Sequence, residues 1–328
     1  MSTEIALKER EKKKNLSSGA IQQMLAFASL LALLVFFSFA SDNFLQYNNV
    51  IGILLSTAVI GILALGATFV IITGGIDLSV GTVMTLSSVL TGVIVVNAGM
   101  PIYIGVLGGI VTGAFCGFLS GFAIAKLNIP PFIATLAMMM IAKGLALVIS
   151  GAAPIYFSDH PNFTKISLGS ITPGIEVPNA ILIFFLMAIV GGVILSKTIL
   201  GRYNFSIGSN EEATKLSGVN VNFWKITIYT LAGAFTGVAG VLMASRLNSA
   251  QPALGQGYEL EAIAAVVIGG TSLSGGKGTI IGTVIGALIM SVLTNGLRIM
   301  SIPQEWQTVV VGLVIILAVY ADTLRKKK

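Results

Sequence analysis

The sequence predicts an all-α polytopic membrane protein of about ten transmembrane helices, with Gly-interrupted helices and one short helix held outside the bilayer. Three observations carry that prediction. The 328 residues are 55% hydrophobic and only 10% charged, with a mean hydropathy of +0.94, whereas soluble domains carry about 25% charged residues. The apolar runs continue unbroken for roughly 20 residues, the length that crosses a bilayer as a helix. They lack the polar–apolar alternation of barrel strands, and helices and closed barrels are the structures whose backbones are satisfied in lipid.

Taken in order, the runs lie at 20–40, 50–72, 78–96, 102–125, 132–149, 180–196, 223–244, 260–270, 280–300 and 306–321. The eighth is short and interrupted by glycine. The charged head at 8–14 leads into a long apolar run without a cleavage site, so no signal peptide is expected. Charge then tests the count. With the N-terminus cytoplasmic, the inner side holds Lys8, Arg10, Lys12, Lys13, Lys14, Lys126, Lys197, Arg202, Lys215, Lys225, Lys277, Arg325, Lys326, Lys327 and Lys328. The outer side holds Lys165, Arg246 and Arg298, and Lys143 lies within a span. Fifteen inner cations against three outer ones follow the positive-inside rule and put both termini in the cytoplasm. The chain then divides into a basic segment at 1–19, one transmembrane domain at 20–322 and a basic tail at 323–328.

That bias accounts for the net charge of +6, so a nucleic-acid partner has nothing to explain. The tail either anchors the last span or touches anionic lipid. One cysteine, Cys116, and one histidine, His160, exclude an internal disulfide and argue against a zinc site. No Ser/His or His/Asp/Glu constellation supports a membrane enzyme.

The most informative stretch is a polar island at 201–218, inside the inner connection at 197–222. It begins with Gly201 and Arg202. Ser209 or Asn210 is placed to cap a helix whose first turn holds Glu211 and Glu212, where the helix dipole favours acid. Ala213 continues it, and Lys215 lies four residues after Glu211 and three after Glu212. Gly218 closes it. Lipid cannot accept this segment. It is either a helix gripped by a soluble motor or a helix lying on the headgroups.

Two glycine turns echo each other. Gly74-Gly75-Ile76-Asp77-Leu78-Ser79-Val80-Gly81 matches Gly269-Gly270-Thr271-Ser272-Leu273-Ser274-Gly275-Gly276 as G-G-x-x-L-S-x-G. Paired glycines let a helix stop and restart within a few residues. Asp77 and Ser272 are then expected to cap the helices that follow. The alternative is that broken helices at matching positions, with Ser79 among their residues, mark a permeation path. The 270–279 segment lacks the spacing of a phosphate loop. If ATP drives this protein, another chain must bind it.

Polar residues also gather at the outer face. The connection at 150–179 holds four prolines with Asp159, His160 and Glu176, and loops of that length tend to carry function. Arg246, Asn248, Gln251, Gln256, Tyr258, Glu259 and Glu261 form a second outer cluster, suited to a docking protein, to sugar hydroxyls or to plain capping. Lys143 is expected to snorkel or pair, or to line the path.

With these residues in view, the chain resembles the membrane permeases of bacterial ATP-driven sugar importers, the ribose/arabinose/xylose/galactoside branch. The resemblance covers nearly the whole chain. It rests on Thr73 through Gly81, on Pro131-Phe132-Ile133-Ala134-Thr135-Leu136, on Gly201-Arg202 with Asn210 to Ala213 and Leu216-Ser217-Gly218, and on Ala250-Gln251-Pro252 through Gly278. It implies a permease subunit of the bacterial inner membrane, without a cofactor of its own. ATP and Mg are used by a cytoplasmic ATP-binding subunit. A monosaccharide is delivered by an extracytoplasmic sugar-binding protein, and a second permease copy completes a dimer. Gly201, Arg202, Asn210, Glu211, Glu212, Ala213, Lys215 and Gly218 become the ATPase-coupling residues. Thr214 stands where the general Glu-Ala-Ala pattern has its second alanine. Gly74, Gly75, Asp77, Ser79, Lys143, Gly269, Gly270 and Ser272 become pathway or helix-break candidates. Asp159, His160, Arg246, Gln251 and Glu259 become candidates for docking the binding protein. A quorum signal or a branched-chain amino acid is the alternative cargo. An ion-coupled transporter fits less well, because Asp77, Glu259, Glu261 and Glu305 all lie at predicted span ends.

Overall fold

The structure, a computed structural model, describes residues 23–170 and 176–326. The basic segment at 1–19, the first residues of span one, Pro173 and the last two lysines lie outside the described residues. Helix α1 spans Gln23–Ala40 and α2 Tyr47–Ile72. Helix α3, Val80–Gly92, continues as a π-helical turn over Val93–Asn97. Then come α4 (Ile102–Lys126), α5 (Pro131–Ser150), α6 (Pro161–Leu168), α7 (Asn179–Lys197), α8 (Ile199–Ser209) and α9 (Glu211–Leu216). The rest are α10 (Val221–Leu247), α11 (Tyr258–Ile268), α12 (Ile280–Ile299) and α13 (Gln304–Lys326).

The fold is all-α, and eight of these helices are long and apolar enough to cross a membrane. The predicted ten needed two more. Helix α13 carries a shorter apolar stretch, Gln304–Tyr320. Helix α11 has 11 residues, a rise of about 16 Å, roughly half the ~30 Å hydrocarbon core. Span eight is therefore a half-helix. The chain ahead of it, from Ser249 to Gly257, is non-helical, with Ser249, Ala250, Pro252 and Gly255 buried and Ala253 and Gln256 exposed.

The centre of the bundle is built from α2 and α10. Every residue of α2 from Thr57 to Ile72 is buried. Helix α10 runs antiparallel to α4 in backbone contact. Gly113, Gly117 and Gly121, spaced by four on α4, face Gly233, Tyr229 and Ile226 of α10, and a Cβ on Gly113 would overlap the Gly233 carbonyl. Without a hydrophobic force between helices in lipid, such small-residue stripes are what bring two backbones together. The opposite side of α4 exposes Leu107, Val111, Phe115 and Phe122, a face suited to acyl chains.

The 150–179 connection is folded back onto the bundle. Ile155–Tyr156 (β1) pairs antiparallel with Ser249–Ala250 (β2). Phe157 and Phe163 stack at 3.8 Å, both fully buried. The Ser167 hydroxyl donates to the Leu242 carbonyl at 2.7 Å, and the Ser167 N–H donates to the Ser245 hydroxyl at 2.9 Å.

Candidate functional site

The polar island is two helices, not one. The sequence reading had no helix before Asn210, yet Ile199–Ser209 forms α8, capped by Thr198 Oγ1, which accepts from the Gly201 N–H at 3.4 Å. Gly201 is required there: its Cα presses on the carbonyl of Leu195, where a Cβ would overlap. Asn210, rather than Ser209, caps α9, its Oδ1 accepting from the Ala213 N–H at 2.9 Å. Gly218 ends the helix with φ +85°. Lys215 does not make the expected pair. Glu211 instead bonds Lys225, on α10, at 2.7 Å, because α9 folds back over the start of that helix. Arg202, Glu211, Glu212, Ala213 and Lys215 are all exposed. Thr214 is the one buried residue of α9, its hydroxyl donating to the Asn210 carbonyl at 2.8 Å. Leu216, part of the motif that carries the resemblance though not among the coupling candidates, is 90% exposed, an apolar tip on a charged helix.

The island stands on both glycine turns at once. The Gly276 N–H donates to the Ile72 carbonyl at 2.9 Å, so the end of α2 and the α11–α12 turn are joined through backbone. Gly208 of α8 fits against both, and a Cβ there would overlap the Ile72 carbonyl oxygen and reach 2.6 Å from the Gly276 nitrogen. A Cβ on Gly275 would lie 2.9 Å from the Gly208 oxygen, the Gly74 nitrogen and the Ile72 oxygen. The two echoed turns and the island, three separate features of the sequence, form one knot. Gly74 and Gly270 take φ of +80° and +96°, the left-handed geometry that ends each helix. Gly269 lies so close to Gly282 that a Cβ on either would overlap the other's carbonyl. Ser272 is not the cap it was expected to be. Its N–H donates to the Lys277 carbonyl within the turn, and Thr279 Oγ1 caps α12 by accepting from the Gly282 N–H at 3.1 Å.

A second gathering lies inside the bundle. The chain from Gly75 to Ser79 is non-helical on its way to α3, with Gly75, Asp77 and Ser79 buried. Ser79 is the N-cap residue, and Asp77 supports it, Oδ1 accepting from the Ser79 N–H at 2.8 Å and hydroxyl at 2.6 Å. Thr135 of α5 donates to the Ile76 carbonyl at 3.2 Å. Glu259 caps α11, accepting from the Gly257 N–H at 3.0 Å. The two helix starts meet where Gly81 packs on Gly255 and the Glu259 carboxylate, with no room for a Cβ. Asp77 and Glu259 are thus interior residues, 5% and 7% exposed, although the hydropathy pattern put both at span ends. Non-helical segments lead to both. Each carboxylate accepts from a backbone N–H at the start of a helix, Asp77 from Ser79 and Glu259 from Gly257. Lys143 joins from α5, donating to Gln256 Oε1 at 3.2 Å.

Gln256 also lines the third feature, a cavity of about 460 Å³ between α2, α10, α11, α12 and α13. Arg246, Tyr258, Glu261 and Arg298 face it, and Arg246 donates to Ser56 Oγ at 3.3 Å. The docking candidates are therefore split. Arg246 lines the cavity and Glu259 is interior. Gln251 bonds Ser249 Oγ at 2.9 Å. Asp159 is exposed and His160 half-buried, at the end of the bundle away from the island. Among the described residues no cluster of three metal-ligating side chains occurs.

Comparison with known proteins places this architecture. The sequence profile described as "Branched-chain amino acid transport system / permease component" matches residues 49–319. The chain is 42% identical over 320 residues to the ribose import permease protein RbsC of Bacillus subtilis (strain 168), covering 97% of this chain and 98% of that protein. It is 37% identical over 303 residues to the fructose import permease protein FrcC of Rhizobium meliloti, covering 91% and 84%. It is 31% identical over 371 aligned positions to the xylose transport system permease protein XylH of Escherichia coli (strain K12), covering 95% and 94%. No solved structure matches the chain. With a matched region that takes in α2 through most of α13, and relatives aligned almost end to end, the chain belongs to the family of permease components of branched-chain amino acid transport systems.

Proposed function

We propose that this chain is the permease subunit of an ATP-binding-cassette importer for a monosaccharide, working as a dimer in a bacterial inner membrane. An extracytoplasmic binding protein delivers the sugar, and a separate cytoplasmic subunit binds and hydrolyses ATP with Mg. The observation that carries the reading is the exposed α9, seated through α8 on the glycine knot. A push on α9 is received by a backbone contact at Gly208. That contact holds the end of α2 and the turn leading out of α11, so neither can stay still when α8 moves. Interfaces packed backbone to backbone shift between discrete arrangements rather than bend. The cations Lys126, Lys197, Arg202, Lys215, Lys225 and Lys277 belong to the island end, which the positive-inside rule assigns to the cytoplasm. Both termini follow there.

Relatives named for ribose, fructose and xylose import, aligned over nearly the whole chain, support a monosaccharide cargo. The family description favours a second reading, a branched-chain amino acid. The cavity lining does not separate the two, because Arg246, Arg298, Glu261 and Gln256 match the charged ends of an amino acid as well as sugar hydroxyls, so the sugar reading rests on the named relatives. The test is uptake by proteoliposomes holding the permease, its ATPase subunit and its binding protein. ATP-dependent accumulation of D-ribose, D-fructose or D-xylose supports the reading. Accumulation of L-leucine with none of the sugars overturns it.

A further inference from the structure

We infer that the cavity between α2, α10, α11, α12 and α13 is the place where the solute is held in transit, and that Arg246, Glu261 and Arg298 recognise it through its hydroxyl groups. The inference rests on the importer reading and deepens it, because neither the family nor the named relatives assign a solute-contacting residue. Four observations support it. The cavity, about 460 Å³, falls in the size range of small-ligand sites. Its ionisable residues come from three different helices, the last turns of α10 and α12 and the first turn of α11, and converge on one space. Its chemistry suits a neutral polyol. Guanidinium groups offer fixed pairs of donors and a carboxylate offers paired acceptors, which match neighbouring hydroxyls that both donate and accept. Val59, Ile60 and Met243 add an apolar wall for the C–H face of a sugar ring.

The fourth observation is mechanical. The cavity meets the first turn of α11 at Gly257, Tyr258 and Glu261. The other end of that 11-residue helix runs into Gly269, Gly270 and the turn that bonds Ile72. One short rigid rod therefore links the coupling knot to the cavity. A shift of the knot moves Tyr258 and Glu261 relative to Arg246 and Arg298, which changes the spacing of the recognition groups. The site is thereby coupled to the ATPase without any residue of the island touching solute.

The test uses the intact complex with D-ribose, D-fructose and D-xylose as probes and L-leucine as the comparison solute. Glu261→Ala and Arg298→Ala are each expected to lower sugar uptake at least tenfold. Stimulation of ATP hydrolysis by the loaded binding protein should persist, since the island is untouched. Normal uptake in both variants overturns the inference and leaves the importer reading standing. If either variant fails to insert, a thiol-labelling arm decides. In a Cys116→Ser background, Thr294→Cys places one thiol on the cavity wall. The transported sugar should slow its alkylation at least threefold, and L-leucine should not. Equal labelling rates with and without every sugar overturn the inference. If L-leucine is imported and no sugar is, the importer reading fails first and takes this inference with it.

Discussion

Gly208→Ala isolates the knot from everything else in the chain. The substitution adds one methyl group, and Gly208 has no positive φ, so no backbone strain accompanies it. The added Cβ would lie 2.6 Å from the Gly276 nitrogen and overlap the Ile72 carbonyl oxygen. Ordinary contact begins near 3.4 Å, so α8 must retreat about 0.8 Å for the nitrogen alone and further for the oxygen. The obstacles are backbone atoms and cannot swing aside. Overpacking of this kind costs about 1–3 kcal/mol. The Gly276 N–H···O=C Ile72 bond lies in the same contact, and an orphaned buried amide costs about 1–3 kcal/mol more. The sum, about 2–6 kcal/mol, shifts the seated arrangement of α8 by at least tenfold. Gly192→Ala is the control: a Cβ there meets nothing within 4 Å, and alanine favours the helix. The assay is sugar uptake per ATP hydrolysed in the reconstituted complex. Gly208→Ala should insert normally and lose at least tenfold in that ratio, while Gly192→Ala stays near wild type. A Gly208→Ala complex with an unchanged ratio would refute transmission through the knot.

Three further outcomes follow from the geometry. Leu216→Ser should weaken co-purification of the ATPase subunit with no loss of membrane yield, since Leu216 is 90% exposed; undiminished co-purification removes Leu216 from the docking surface. Lys143→Met removes a charge that costs about 3 kcal/mol on insertion scales, so yield should hold or rise. Uptake should fall because Gln256 loses the donor at 3.2 Å, and normal uptake would make Lys143 a packing residue only. A reporter fused after Lys328 should register as cytoplasmic, and an external signal would break the topology on which the docking argument stands.

Much of this was legible in the residues. The long helices follow from unbroken apolar runs, and Asn210 and Gly218 bound α9 through local chemistry that needs no partner. The interior junction was not legible. Asp77 and Glu259 sit at the edges of hydropathy runs, so the pattern placed them at the surface. The non-helical segments from Gly75 and Ser249 lead to these buried positions, and hydropathy does not register a turn in the chain that buries a carboxylate without being helical. Ser272 was read as a cap because Asp77 stood in the matching position. The second turn, however, runs on through Gly278 before Thr279 starts α12. The echo of Gly74-Gly75 and Gly269-Gly270 was visible, but that the two turns touch is a tertiary fact. Pairing of Glu211 with Lys225 instead of Lys215 has the same origin. The stripe of Gly113, Gly117 and Gly121 was readable from its spacing of four, and the sequence reading looked past it.

The central claim is that the soluble motor grips α9. Reversal of Glu211 and Glu212 to Lys tests it most directly. The double reversal puts positive charge at the positive end of the helix dipole and breaks the 2.7 Å pair with Lys225. An exposed ion pair contributes only about 0.2–1 kcal/mol, so the permease should insert at its normal level. Adding Lys225→Glu restores a charge pair within the chain and isolates what the partner itself reads. The measurement is the amount of ATPase subunit that co-purifies with each variant, together with sugar uptake. Both should be lost in the double reversal, with no rescue by Lys225→Glu. A fully assembled complex with normal uptake in the double reversal would contradict it.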